Sequence, residues 1–186
     1  QITGFGGVDK RIDVLATAIF AGMTGEDLTE LDLAYAPPYA SAKDPVNMVG
    51  YVIENIRNGI VKQFHWDEMD ALVGREDITM LDVRTDAEYA RGHFKGSVHI
   101  PLDELREHLN ELNPSKPVYV NCFSGLRSYL ACRILMQNGF SCYNLSGGYR
   151  FASYVLSNAP YHYRAMYPCG IEKDGTDMIS NKKNEK

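Results

Sequence analysis

From Gly59 onward, short apolar runs alternate with segments whose apolar residues recur at helical spacing, and this alternation restricts the chain to one broad architecture. Strands are expected at 61–66, 79–83, 97–100, 118–121 and 142–145, with helices at 67–72, 86–90, 102–109, 127–138 and from 149 to about 157. Strands that alternate with helices predict an α/β fold, doubly wound, with a mostly parallel sheet covered on both faces. In such sheets ligands bind at the carboxyl ends of strands. There the segment Cys122, Phe123, Ser124, Gly125, Leu126, Arg127, Ser128 joins an apolar strand to a helix. A cysteine at that junction suits a reactive thiolate, because loop N–H groups and the positive end of the helix dipole favour negative charge.

Charge and composition exclude other classes. A formal net charge of −5 and a pI near 5.5, with no basic stripe, argue against a nucleic-acid partner. No apolar run approaches the roughly 20 residues of a membrane span, and no signal pattern opens the chain, so a cytoplasmic, membrane-free protein is expected. The four cysteines, Cys122, Cys132, Cys142 and Cys169, form no C-x-x-C pair and have no histidine at ligand spacing, so no metal site is expected. Cys132 and Cys142 read as small buried apolar residues; Cys169 has no assigned role.

Residues 1–58 read differently, as helices without strand pairs. Val8, Ile12, Leu15, Ala16, Ile19 and Phe20 mark one amphipathic helix, Thr24 is placed to cap a second, and a third is expected over 46–58. Between the last two lies a Pro-rich connection around Pro37 and Pro38. The expected domains are therefore 1–58, 59–158 and a polar, partly mobile tail over 159–186.

Four ordered motifs carry a family resemblance: Leu81 to Arg84 with Glu88, Gly92 to Pro101, the Cys122 loop, and Leu145 to Gly148. Together they resemble the rhodanese domain, which implies that Cys122 accepts a sulfane sulfur atom. Gly7 to Val14, Ala21 to Met23 and Leu33 to Tyr39 resemble the carboxyl end of the dimerisation domain of flavin-dependent pyridine nucleotide-disulfide reductases. Within that group the resemblance is to coenzyme A-disulfide reductases fused to a rhodanese domain. It implies a carboxyl-terminal fragment with no cofactor of its own, whose full-length parent uses FAD, NAD(P)H and coenzyme A and forms a homodimer. Tyr35 or Tyr39 matches the tyrosine that reaches the partner subunit's active site, or merely packs beside the proline pair.

Each loop residue has a bland reading beside the chemical one. Inward N–H groups from Phe123 to Ser128 would stabilise a persulfide anion. Arg127 either stabilises charge or clamps the loop to Asp82 or another acid. Ser124 and Ser128 either donate to the sulfur or cap the helix, and capping is preferred for Ser128. Asp82 and Arg84 are expected to orient the loop rather than react, and His93 is expected to be structural. The six residues from Cys122 to Arg127 match the sulfurtransferase form of the family rather than its phosphatases.

The resulting expectation is sulfur transfer through a Cys122 persulfide within a coenzyme A-disulfide, coenzyme A-persulfide or polysulfide reductase, with the reductase domains as partners. Phe123 and Leu126 favour thiol-linked persulfides over small dianions such as thiosulfate. The alternatives are a non-catalytic interaction module and a stand-alone, low-specificity thiosulfate sulfurtransferase.

Overall fold

The computed structural model describes residues 2, 4, 6–38, 40–166 and 179–180, with side chains through 157. The chain divides into two compact units, 1–60 and 61–186.

The larger unit is built on five parallel strands: β1 (Lys62–Phe64), β2 (Thr79–Asp82), β4 (Val98–His99), β5 (Val118–Asn121) and β6 (Cys142–Leu145). Their spatial order is β1-β6-β5-β2-β4. The strand period of two sends Val118 and Val120 to one face of β5, and Tyr119 and Asn121 to the other. The first face is covered by helix α6 (Leu126–Gln137), which buries Ala131, Cys132, Ile134 and Leu135. On the second, Phe64, Met69, Leu72, Met80, Phe94 and Leu145 pack with Ala152 of helix α7 (Gly148–Met166), and Tyr119 joins them. Each such fully buried side chain contributes about 1.5–3 kcal/mol relative to exposure.

Two features set the site's position. Asp82 of β2 pairs in register with Asn121 of β5, so both strands end at one level. The segments leaving them, helix α5 (Asp86–Ala90) and the Cys122 turn, emerge side by side.

Several sequence expectations need correction. Residues 102–109 form successive turns rather than a helix, ending in a 3-10 turn at Leu109–Glu111, because only Leu105 is fully buried there. The expected helix at 67–72 begins as a 3-10 turn, Trp66–Glu68, before α4 (Met69–Leu72). Helix α7 runs past the expected end to Met166, so the expected tail boundary at 158 falls inside a helix. Strand β3 (His93–Phe94) pairs antiparallel with β7 (Ile179–Ser180), a pairing no local pattern announced. Cys169 lies outside the described residues.

The smaller unit holds α1 (Val8–Phe20), α2 (Asp27–Glu30) and α3 (Pro45–Arg57) around Ala18, Leu28 and Val46. Asp44 caps α3, accepting from the Val46 N–H at 3.0 Å, and Asn47 accepts reciprocally from the Asp44 N–H at 3.1 Å. Glu26 directly precedes α2, and Thr24 caps its start as expected: the Thr24 hydroxyl oxygen accepts from the Asp27 N–H at 3.3 Å, and the Thr24 N–H and hydroxyl donate to the Asp27 carboxylate.

Candidate functional site

Cys122 follows β5 directly and is 1% exposed. The chain turns at Gly125, whose φ of 112° lies where an L side chain is strained. That turn brings the Gly125 N–H to 3.1 Å from the Cys122 Sγ, and the Ser128 hydroxyl, in the first turn of α6, to 3.3 Å. The sulfur thus has two donor groups within reach at a helix N-terminus, the Ser128 hydroxyl also lying 3.2 Å from the Gly125 carbonyl. Of the inward N–H groups expected from the sequence, the Gly125 group meets the sulfur. Ser128 is not the helix cap, since Gly125 occupies that position. Ser124 is exposed at the turn.

The loop is anchored from below. Asn144 Nδ2 donates to the Gly125 carbonyl at 3.2 Å. From the start of α7, the Tyr149 N–H donates to the Cys122 carbonyl at 2.7 Å and the Arg150 N–H to the Phe123 carbonyl at 3.0 Å. Gly148 makes this approach possible: with φ of 64°, it would place a Cβ only 2.7 Å from the Phe123 carbonyl and the Ser124 nitrogen.

Asp82 and Arg84 form a buried ion pair, in which Arg84 Nε lies 2.9 and 3.0 Å from the two Asp82 carboxylate oxygens. Arg84 Nη2 also donates to the Gly92 carbonyl at 2.8 Å, and the guanidinium lies 3.8 Å from the centroid of the Tyr149 ring. The pair therefore packs against Tyr149, whose backbone N–H meets the Cys122 carbonyl. His93 stacks on Tyr89 with ring centroids 3.9 Å apart and meets the Tyr89 carbonyl at 3.1 Å, as a structural residue would.

Arg127 clamps the loop, though not to Asp82. Its two terminal nitrogens meet the two carboxylate oxygens of Glu88, on α5, at 2.7 Å each. The Arg127 guanidinium holds the Glu88 carboxyl at about 2, well below its usual 4.5, and the Thr85 N–H and hydroxyl support it. Glu88 belongs to the first of the four family motifs but not to the expected site residues. Its visible signal was the Thr85-x-x-Glu88 capping box, which says nothing about a partner 39 positions away.

Phe123 is 41% exposed and Leu126 63%, so the loop presents apolar side chains to solvent; Phe151, in the first turn of α7, is also exposed. Cys132 and Cys142 are buried on the α6 face, with the Cys142 thiol 3.4 Å from the Cys132 carbonyl. Its thiol contact with Cys142, together with burial, pushes the Cys132 thiol up and keeps it protonated. Asn121, next to Cys122, buries a carboxamide whose oxygen and nitrogen both lack a hydrogen-bond partner.

In the smaller unit, Tyr35 is 53% exposed, and Tyr39 lies outside the described residues. Among the described residues, no three His, Cys, Asp or Glu side chains converge in a metal-binding group, and no helix is long and apolar enough to cross a membrane. Nor does the strand-to-helix turn before α7 fit a dinucleotide pyrophosphate: the space above Gly148 is filled by the Phe123 backbone and that beside Gly147 by Phe151.

Residues 65–150 match the rhodanese-like domain family. A sulfurtransferase of Allochromatium vinosum is 37% identical over 78 residues, which are 41% of this chain and 73% of that protein. A coenzyme A disulfide reductase of Staphylococcus haemolyticus is 60% identical over 45 residues, 24% of this chain and 10% of the reductase. Among solved structures, reduced Bacillus anthracis CoADR-RHD is 48% identical with a TM-score of 0.79, across 82% of this chain and 27% of that one. A NAD-dependent persulfide reductase from A. fulgidus is 46% identical with a TM-score of 0.69, across 80% and 26%. The chain therefore spans about a quarter of the length of these solved relatives. With its family motifs in order and its cysteine loop on the parallel sheet, the chain belongs to the rhodanese-like domain family.

Proposed function

We propose that this chain transfers sulfane sulfur through a persulfide on Cys122, as a carboxyl-terminal part of a flavin-dependent NAD(P)H reductase of coenzyme A disulfide, coenzyme A persulfide or polysulfide. The observation that carries the reading is the pair of donors aimed at the Cys122 sulfur, the Gly125 N–H and the Ser128 hydroxyl, at the start of α6. The Cys122 thiolate attacks the outer sulfur of a donor persulfide. A sulfur–sulfur bond forms at Cys122, the donor's own sulfur–sulfur bond breaks, and the donor leaves as a thiolate. An acceptor thiolate then attacks the terminal sulfur and restores Cys122. The oxidised sulfur atom moves unchanged, so neither step needs an oxidant or a side-chain base. The loop's donors hold the negative charge at the start and end of each step.

FAD, NAD(P)H and coenzyme A belong, in this reading, to the reductase domains of the same protein, since the turn before α7 does not fit a dinucleotide. Similarity to CoADR-RHD and to the persulfide reductase supports that context. The homodimer has its own support in α3, where Val49, Val52, Ile53 and Ile56 form an exposed apolar stripe at helical spacing. The cytoplasm, where thiols stay reduced, is the proposed location.

The test is to replace Cys122 with serine in the full-length protein and follow persulfide reduction by NAD(P)H. A large loss of turnover is expected, and wild-type turnover with every sulfane donor refutes the role. Intact mass after exposure to a donor provides the direct check, because wild type should gain one sulfur atom and C122S none.

A further inference from the structure

Arg127 is the one cationic side chain of the Cys122–Ser128 loop, and its guanidinium is matched nitrogen for oxygen by Glu88. The match is prearranged. The Thr85 N–H and hydroxyl each hold Glu88 Oε2 at 3.0 Å, which fixes the carboxylate before Arg127 meets it. Of the other arginines near the loop, Arg84 is engaged by Asp82 and Tyr149, while Arg150 lies over the Phe123 ring at 5.7 Å from its centroid. Within the loop itself the one cation is therefore neutralised, and the exposed side chains Phe123 and Leu126 are apolar.

We propose that Glu88 is a specificity-determining residue of this site: by neutralising Arg127 it withholds a cationic seat from small dianionic donors such as thiosulfate and reserves the loop for organic persulfides, whose reacting group carries a single charge. The proposal rests on the reading of Cys122 as a persulfide carrier. In both routes the Cys122 thiolate attacks the outer sulfur and a sulfur–sulfur bond to the donor breaks. Sulfite leaves from thiosulfate and a thiolate leaves from an organic persulfide. The thiosulfate route gathers three negative charges at the transition state and the persulfide route two, so an unpaired guanidinium would favour the former more. Glu88 remains ionised throughout the neutral range, which makes the discrimination constitutive rather than pH-switched.

The experiment compares wild type, E88Q and the double variant E88Q/R127Q. Gln retains the oxygen that the Thr85 capping box requires while removing the charge. Sulfur loading on Cys122 is timed by intact mass with two probes, thiosulfate and 2-hydroxyethyl persulfide. E88Q should load from thiosulfate about tenfold faster while its organic persulfide rate changes by no more than about twofold. The gain should shrink as salt is raised and vanish in E88Q/R127Q. An unchanged donor ratio in E88Q, or an equal fall with both donors, overturns the inference and leaves Glu88 a structural clamp. Wild type gives an independent reading that does not depend on how the variants fold. Its thiosulfate rate should not fall as salt rises, and a steep fall overturns the proposal. If wild type loads from neither donor, the underlying sulfur-transfer reading fails first, and that result is distinct from loading without a change in preference.

Discussion

Replacing Gly148 with alanine tests whether close backbone approach holds the sulfur loop. At φ of 64°, an alanine carries a left-handed penalty of about 1–2 kcal/mol. Its Cβ would also sit 2.7 Å from the Phe123 carbonyl carbon and oxygen and the Ser124 nitrogen, so the loop must retreat by several tenths of an ångström. That retreat strains the Tyr149-to-Cys122 and Arg150-to-Phe123 backbone bonds, each contributing about 1 kcal/mol. The expected total is about 3–4 kcal/mol. Gly139 provides the control, since its φ is 84° but a Cβ there meets nothing within 4 Å, so G139A should lose only about 1 kcal/mol. Trp66, the one tryptophan, packs against the core of the larger unit, and its fluorescence follows that unit's melting. At about 4 °C per kcal/mol, G148A should melt more than about 10 °C below wild type and G139A about 4 °C below. Sulfur loading on Cys122 should slow in G148A alone. Equal melting of the two variants, with equal loading, would refute the argument from close approach.

Arg84→Met removes one partner of a buried ion pair and should cost about 3–5 kcal/mol in a denaturant melt, while adding Asp82→Asn should recover most of it; no recovery would mean the pair is not the source. Glu88 has its folded pKa lowered from 4.5 to about 2, so its stabilisation is fully present above about pH 5 and is lost as pH falls from there toward 2. The span corresponds to about 3 kcal/mol, reduced to about 1–2 by solvent screening at this part-exposed pair, and the stability difference between wild type and E88Q should narrow over that window. A difference independent of pH would contradict this. Asn121→Leu replaces a buried carboxamide without partners and should leave stability unchanged or raise it by about 1 kcal/mol in urea, whereas a loss above about 2 kcal/mol would show that the carboxamide is bonded.

Strands β2, β5 and β6 were legible in the sequence because each is a compact apolar run closed by a turn, and their centres matched expectation. The absence of a helix at 102–109 has a physical cause. Leu102, Leu105 and Leu109 fall near helical spacing, but a short helix without a continuous buried stripe gains too little packing to offset nucleation. Helix α7 outruns its expected end for the opposite reason. Pro160 lacks an N–H, yet the helix continues through it to Met166. The place of Ser128 near a helix start suggests a cap, whereas the glycine turn puts Gly125 at the cap and the Ser128 hydroxyl 3.3 Å from the sulfur.

The sequence by itself determined that a cysteine would stand between a buried strand and a helix, because that placement follows from local hydrophobic pattern and one glycine turn. It also carried the family motifs and the apolar rim at Phe123 and Leu126. Which acid Arg127 would meet was decided only by the tertiary structure. Asp82 lies nearer in sequence to the motif's arginine, Arg84, and pairs with it, while Glu88 reaches Arg127 across 39 positions. That meeting depends on β2 and β5 being neighbours in register, so that α5 and the cysteine loop leave the sheet at the same level. Charge at the sulfur's entrance is thus a property of strand order, a long-range fact that no local pattern encodes.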